Sequence, residues 1–155
     1  MLERIISGGQ TGADRAALDA ALACGVPHGG WCPRGRLAED GPIPERYQLV
    51  ETEDSAYPVR TERNVVDSDG TVILTVGELA RGSALTADFA RRHRKPWLHL
   101  RLDETGDSET VGLLREFVRE HEIRVLNVAG SRASTEPGLY ARCLAIVGGL
   151  LEELA

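Results

Sequence analysis

Short apolar segments and longer segments with helical spacing alternate five times along this chain of 155 residues. Apolar and β-branched runs predict strands at residues 3–7, 47–51, 71–76, 97–102 and 124–128. Helical spacing, with start and stop residues, predicts helices at residues 13–24, 56–66, 83–93, 108–121 and 137–154. Strands that alternate with helices form a parallel sheet covered on both faces. The sequence therefore predicts one Rossmann-like α/β domain over residues 1–155, with three layers and a mainly parallel sheet of five strands.

Composition excludes several classes of protein. Hydrophobic residues make up 42% of the chain and charged residues 27%, as in globular proteins, which argues against disorder. The net charge of −6 argues against a nucleic-acid-binding protein. No apolar run approaches the ~18 residues that span a bilayer, and the first residues do not resemble a signal peptide. Cys24, Cys32 and Cys143 are too few and too scattered for a disulfide framework. We expect a cytoplasmic protein with neither nucleic-acid nor membrane partners.

A glycine-rich loop follows the first predicted strand and leads into the first predicted helix. It consists of Gly8, Gly9, Gln10, Thr11 and Gly12. Ligands of such sheets bind at the carboxyl ends of the strands, and the amides of a helix N-terminus attract phosphate. Thr11 adds a hydroxyl donor, and Gln10 adds an amide that suits a ring edge or a phosphate oxygen. The loop therefore predicts a phosphate site, although a tight strand-to-helix turn alone would also explain its glycines.

Two later strand ends carry similar residues. Gly82 and Ser83 open the third predicted helix, and Gly130, Ser131 and Arg132 follow the fifth predicted strand. Ser83 also suits a helix cap, and Arg132 also suits a solvated surface position. Because the carboxyl ends of parallel strands share one edge of the sheet, we expect these five residues to converge with the glycine-rich loop.

Two further segments contribute candidate ligand contacts. Residues 26–43 are irregular and rich in glycine and proline, and Trp31 within them indicates an ordered loop that contacts something. We expect Trp31 and Arg36 of this loop to distinguish what is attached to the phosphate. Arg60, Thr61 and Asn64 lie at helical spacing and form a polar stripe, which is either a ligand contact or a solvent face.

The sequence carries few signs of catalysis. The glycine-rich loop matches neither the dinucleotide fingerprint nor the Walker loop, so neither NAD nor P-loop hydrolysis is expected. His28 and Cys32 are too few ligands for a zinc site, so no metal site is predicted. Asp14 is the one carboxylate that could act as a catalytic group, and the catalytic residues are otherwise unknown. We therefore favour a binding protein over an enzyme.

Six motifs in order resemble the molybdenum carrier (molybdenum cofactor carrier-like) family. They are SGGQTGADRAALD (7–19), HGGWCPRGR (28–36), RTERNV (60–65), DSDGT (67–71), GSALT (82–86) and LNVAGSR (126–132). The resemblance implies a parallel sheet, a homo-oligomer (dimer or tetramer), and binding of molybdenum cofactor, a pterin with a phosphate, as cargo. It also implies ligand contacts at Gly9, Thr11, Gly82, Ser83, Gly130 and Ser131.

The family resembles one branch of a wider Rossmann-like group that binds nucleotide-like ligands and includes the "lysine decarboxylase-like" phosphoribohydrolases. Those enzymes use a Pro-Gly-Gly-x-Gly-Thr-x-x-Glu motif, which this chain lacks around Gly82. The difference favours a carrier of molybdenum cofactor or another phosphorylated ligand. The alternatives are a nucleoside 5′-monophosphate phosphoribohydrolase and a nucleotide-sensing or partner-binding module.

Overall fold

The structure, a computed structural model, describes residues 1–154 as nine strands and five helices. The last residue of the predicted domain, Ala155, lies outside the described residues. The strands are β1 (Arg4–Ile6), β2 (His28–Gly29), β3 (Trp31–Cys32), β4 (Leu37–Ala38), β5 (Gly41–Pro42), β6 (Val50–Glu51), β7 (Gly70–Thr75), β8 (Trp97–Arg101) and β9 (Val125–Gly130). The helices are α1 (Ala13–Cys24), α2 (Tyr57–Val66), α3 (Gly82–Arg92), α4 (Asp107–Glu120) and α5 (Leu139–Leu154).

Five of the strands form one parallel sheet in the order β2-β1-β9-β7-β8. The last strand in sequence, β9, lies between β1 and β7 at the centre. From β1 the chain continues to β2 at one edge, and from β7 it continues to β8 at the other edge. The connections therefore diverge on either side of β9, which leaves a crevice at the carboxyl ends of β1, β9 and β7.

Helices cover both faces of the sheet. Residues of α1, α4 and α5 form the main core with apolar residues of the strands, including Val72 and Leu74. On the other face, a smaller cluster joins Val65 of α2 to Phe89 and Ala90 of α3. All six residues of β7 are buried, as a central strand between two helical layers requires. The predicted α/β architecture is thus confirmed.

The prediction of the second strand was wrong. Only Val50–Glu51 of the predicted segment 47–51 is extended, and it pairs with β3 outside the main sheet. The fifth strand of the main sheet is instead β2, which pairs with β1 within the segment predicted to be irregular. With two residues, β2 is too short to show any periodicity, and its pairing with β1 alone defines it.

The segment between β2 and α2 is ordered. The Arg36 guanidinium donates hydrogen bonds to the carbonyl oxygens of Pro44 and Tyr47, at 2.9 and 2.8 Å. Ile43 and Tyr47 pack with Leu18 of α1 in a separate apolar cluster. Among the helices of residues 1–154, none has the length and apolar character needed to cross a bilayer.

Candidate functional site

A cleft of about 550 Å³ lies at the carboxyl ends of β1, β9 and β7. Its volume is within the usual range for small-molecule sites, about 300–1,000 Å³. Its walls come from the glycine-rich loop, one face of α2, residues 76–83 and residues 127–136. The three loops that the sequence predicted to converge therefore do meet at one edge of the sheet.

Most of the predicted site residues line this cleft, and five do not. The residues that line it are Gly8, Gln10, Asp14, Arg60, Asn64, Gly82, Ser83, Gly130, Ser131 and Arg132. Those outside its lining are Gly9, Thr11, Gly12, Trp31 and Arg36. The geometry brings the first group together around one space, and ligand contact by any of these residues stays a prediction.

Two glycines of the first loop lie in close contact with other parts of the cleft. A Cβ on Gly8 would lie 1.7 Å from Nη1 of Arg60, which therefore rests directly on the loop. Gly12 has φ +80°, and a Cβ there would lie 2.4 Å from the carbonyl oxygen of Ser131. Glycine at position 12 thus allows the first loop and the segment after β9 to touch.

Three backbone amides of the glycine-rich loop and the start of α1 are used within the chain. The Gln10 amide donates to Asp14 Oδ2 at 3.3 Å, and the Thr11 amide donates to Gln10 Oε1 at 3.1 Å. The first amide of α1, at Ala13, donates to the Ser131 carbonyl at 3.2 Å. These three amides are therefore not available to a phosphate, whereas the amides of Gly8 and Gly12 have no acceptor within residues 1–154. Of the loop residues, Gly8 and Gln10 line the cleft.

The N-terminus of α3 has amides that remain available. The Ser83 amide donates to the Ala80 carbonyl at 3.1 Å, but no residue of 1–154 accepts from the amides of Gly82 or Ala84. Arg81 precedes the helix at φ +47°, a strained conformation for a residue with a side chain. A helix N-terminus carries a partial positive charge, so this end of the cleft suits an anion.

A buried ion pair forms the opposite part of the cleft. Nη1 of Arg60 lies 3.0 Å from Oδ2 of Asp14, and both residues are more than nine-tenths buried. Burial raises the pKa of the Asp14 carboxyl, and the neighbouring Arg60 charge offsets this only in part. A carboxyl with a perturbed pKa in a cleft is a candidate for binding or chemistry.

Two guanidinium groups flank one aromatic ring beside the cleft. Arg60 and Arg132 lie 5.2 and 5.3 Å from the centre of the Tyr57 ring. The carboxylate nearest to Arg132 is that of Glu39, at 3.9 Å. Stacking on Tyr57 restricts both guanidinium groups while leaving donors of Arg132 without a close partner.

Glu39, between β4 and β5, ties three loops together. Its carboxylate accepts hydrogen bonds from the Thr11 hydroxyl and from the amide and hydroxyl of Ser134, the latter two at 3.0 and 2.6 Å. Its own amide donates to Gln10 Oε1 at 2.9 Å. Burial disfavours ionisation of Glu39, but the bonds from Ser134 and Thr11 outweigh it and lower the pKa. Thr11 thus serves the loop structure, because its oxygen also accepts from the Ala133 amide.

Trp31 and Arg36 lie away from the cleft. The Trp31 indole donates to Asp67 at 2.7 Å and lines a second cavity of about 180 Å³. The amide group of Asn64 bonds to both the backbone N–H and the carbonyl of Trp31, at 2.8 and 3.0 Å. Asn64 therefore lines the cleft while its polar atoms hold the Trp31 loop. Arg36 is used in ordering residues 43–47, as described above.

Sequence reasoning missed several residues that line the cleft. They include Val76, Glu78, Ala80, Arg81, Thr86, Asn127, Ser134, Thr135 and Glu136, whereas Thr61, of the predicted polar stripe, does line the cleft. Asn127 could have been found, since it is a polar residue inside the apolar strand β9 and is buried. Arg81 had a weaker signal, as a cation directly before a helix start. Within residues 1–154, no three His, Cys, Asp or Glu side chains are arranged to hold a metal ion.

The chain is similar to a described family and to one solved structure. The sequence model of the "Circularly permutated YpsA SLOG family" matches residues 5–151. The crystal structure of a protein from Syntrophus aciditrophicus SB, described as a "Putative molybdenum carrier protein", is 49% identical in sequence with a TM-score of 0.95. The similarity covers 97% of this chain and 95% of that protein. No curated protein matches the chain.

Proposed function

The chain belongs to the circularly permutated YpsA SLOG family, and from this premise we propose that it binds a phosphate-bearing small molecule as cargo. The cargo we propose is molybdenum cofactor. The relative from Syntrophus aciditrophicus, described as a molybdenum carrier, supports this choice through 49% identity over nearly the whole chain.

One observation carries the proposal: the N-terminus of α3 opens into the cleft with amides that the chain leaves available. The amides of Gly82 and Ala84 have no acceptor within residues 1–154, and the positive end of the helix dipole adds to their attraction for an anion. Arg81 stands beside them with no carboxylate partner among the described residues. A phosphate at this end would receive charge-assisted hydrogen bonds.

The remaining space suits a ring system attached to that phosphate. The cleft extends from α3 across β9 to the Asp14–Arg60 pair, with a volume of about 550 Å³. Inorganic phosphate alone would fill a small part of it. A ligand with an anionic end and a polar ring would use both ends of the cleft.

The proposal is tested by titrating the purified full-length protein with molybdenum cofactor and, separately, with inorganic phosphate under anaerobic conditions. We expect the cofactor to bind more tightly than phosphate by at least about a hundredfold, because the ring adds contacts along the cleft. Arg81→Ala should weaken binding about tenfold through loss of a charge-assisted contact.

Arg92→Ala is the matched control, since Arg92 lies at the other end of α3 and is exposed. This variant should bind as the wild type does. Cofactor binding no tighter than that of inorganic phosphate would contradict the proposal.

A second function is favoured by one observation, the buried Asp14 carboxyl beside Arg60 in the cleft. Burial raises the pKa of this carboxyl, as is typical of a general acid. The corresponding activity is cleavage of a nucleoside 5′-monophosphate at its glycosidic bond. Incubation with a panel of nucleotides, followed by chromatography for free base, tests it; no base at high protein concentration rejects it.

A further inference from the structure

The Gln10 side chain is fixed in one orientation with its donor unpaired. Its Oε1 accepts hydrogen bonds from the amides of Thr11 and Glu39, at 3.1 and 2.9 Å. Only 5% of the Gln10 surface is exposed, and the residue lines the cleft, yet its Nε2 has no hydrogen-bond partner. Rotation of the amide would place N–H groups against two backbone donors, so the orientation cannot be reversed. The chain therefore holds an unused donor at a fixed position.

The neighbouring ion pair of Asp14 and Arg60 also has hydrogen-bonding atoms without partners. Both hydrogen bonds to the Asp14 carboxylate, from the Gln10 amide and from Arg60, end on Oδ2. Within residues 1–154 no donor reaches Oδ1. Arg60 Nε is buried without an acceptor. The floor of the cleft thus combines unused donors with an unused acceptor.

These unused donors and the unused acceptor favour binding of the ring of a phosphorylated ligand, and not of its phosphate, at the floor of the cleft. A phosphate offers only acceptors at its charged oxygens, and its charge would be repelled by the Asp14 carboxylate. A heterocycle with adjacent N–H and carbonyl groups offers a donor to Asp14 and an acceptor to Gln10. Buried donors and acceptors without partners are costly, so a ring edge that satisfies both gains affinity and specificity.

Building on the proposed function, we propose that Gln10, Asp14 and Arg60 form a ring-recognition subsite for a 2-amino-4-oxopyrimidine edge, the edge that pterins and guanine share. Oδ1 of Asp14 accepts from the ring N–H and the amino group, and Gln10 Nε2 donates to the oxo group. Arg60 holds the Asp14 carboxylate in place. The phosphate lies at the other end of the cleft, at α3.

Two pairs of probes test the subsite on the full-length protein. The first pair is guanosine and adenosine 5′-monophosphate, and the second is pterin and lumazine, its 2,4-dioxo counterpart. The member with the 2-amino-4-oxo edge should bind at least about tenfold more tightly in each pair, because its partner places an acceptor against Asp14. The two pairs separate a purine source of the edge from a pterin source, and preference in either supports the subsite.

Two variants should remove recognition of the ring edge while leaving the phosphate-binding end of the cleft at α3 unchanged. Gln10→Glu retains the acceptor for Thr11 and Glu39 but loses the donor, and Asp14→Asn replaces the charged acceptor. Each should reduce the preference within a pair to about threefold or less. Arg81→Ala is the control, since it should weaken both nucleotides alike and leave their ratio unchanged.

Circular dichroism and thermal unfolding establish that each variant is folded; if Asp14→Asn is not, Gln10→Glu carries the test. Ratios near one for both pairs in the wild type, or ratios unchanged in folded Gln10→Glu, overturn the subsite while phosphate binding still stands. If none of the probes binds, molybdenum cofactor included, the result would instead contradict the proposed function itself.

Discussion

Single glycines decide whether the loops of the cleft can approach one another. Gly12 and Gly25, at the two ends of α1, both have positive φ, +80° and +67°. They differ in surroundings: a Cβ on Gly12 would lie 2.4 Å from the Ser131 carbonyl oxygen, whereas a Cβ on Gly25 meets nothing within 4 Å. Glycine at position 12 allows two loops to make contact, whereas glycine at position 25 serves only to end α1.

This contrast yields a paired prediction. Gly25→Ala should lower the free energy of unfolding by about 1–2 kcal/mol, the cost of left-handed backbone for a residue with a Cβ. Gly12→Ala should cost more, about 3 kcal/mol or above, because Gly12, at φ +80° and ψ −127°, lies outside the left-handed helical region and a Cβ there also clashes with backbone atoms. Urea unfolding of both variants measures the difference. An equal loss of unfolding free energy in the two variants would show that the first loop can move away from the segment after β9 without cost.

A second residue-scale prediction concerns the pH dependence contributed by Asp14. Burial raises the pKa of its carboxyl above the ordinary value of 3.8. The folded state therefore retains the proton longer than the unfolded state, so Asp14 contributes stability below pH 3.8 that is lost as the pH rises through its folded pKa. Asn cannot ionise and shows no such loss.

The free energy of unfolding of Asp14→Asn, relative to the wild type, should therefore increase between pH 4 and pH 7, by at most about 1.4 kcal/mol per pH unit. Urea unfolding at several pH values measures it. A difference that falls as the pH rises would contradict the assigned direction of the pKa.

At the scale of elements, the connection between β7 and α3 forms one wall of the cleft and is anchored near its start. The Gly77 amide donates to Asp103 Oδ1 at 2.9 Å, and the Thr75 hydroxyl donates to the Gly77 carbonyl at 2.7 Å. Hydrogen bonds from Arg101 and Gly77 hold the pKa of Asp103 well below its usual range. Asp103 thus stays ionised and fixes the base of the connection.

Asp103→Ala should therefore loosen residues 76–81 and leave the sheet intact. We expect faster hydrogen exchange in peptides covering this connection, by about tenfold or more, because a charge-assisted bond to the Gly77 amide is lost. Hydrogen–deuterium exchange with mass spectrometry measures it. Asp88→Ala, on α3 outside the connection, is the control; the same acceleration there would assign the effect to the helix instead.

At the scale of the whole molecule, the cleft joins segments that are far apart in sequence. The first loop, α2, the connection before α3 and the segment after β9 all contribute to it. A ligand bound there links these segments and stabilises the folded state by mass action. The homo-oligomer implied by the family resemblance stays a prediction, which sedimentation velocity would test.

Molybdenum cofactor at one hundred times its Kd should stabilise the protein by about 2.7 kcal/mol. For a chain of this length that corresponds to a rise in Tm of about 5–10 °C. Differential scanning calorimetry measures the shift. Arg81→Ala at the same cofactor concentration should show a smaller shift, and an unchanged Tm in the wild type would contradict binding to the folded state.

The architecture and the convergence of the loops could be read from the sequence. Alternating apolar runs and helical spacing depend on local periodicity, which a core-facing surface requires wherever it occurs. The glycines and small hydroxyl residues after β1 and β9 could be placed at one sheet edge because parallel strands end together. The strand β2 could not be predicted, since its two residues gain their conformation from pairing with β1.

What each residue does in the cleft depended on tertiary structure. The sequence alone determined that Gly8 to Gly12 lie at the carboxyl edge of the sheet, because a strand, a turn and a helix follow one another there. Only the structure showed that the amides of Gln10, Thr11 and Ala13 are satisfied by Asp14, Gln10 and Ser131, and that the first and third amides of α3 are not satisfied. The physical reason is that a hydrogen-bond donor is available or used according to neighbours that lie far away in sequence: the Ala133 amide and its acceptor, Thr11, are 122 residues apart.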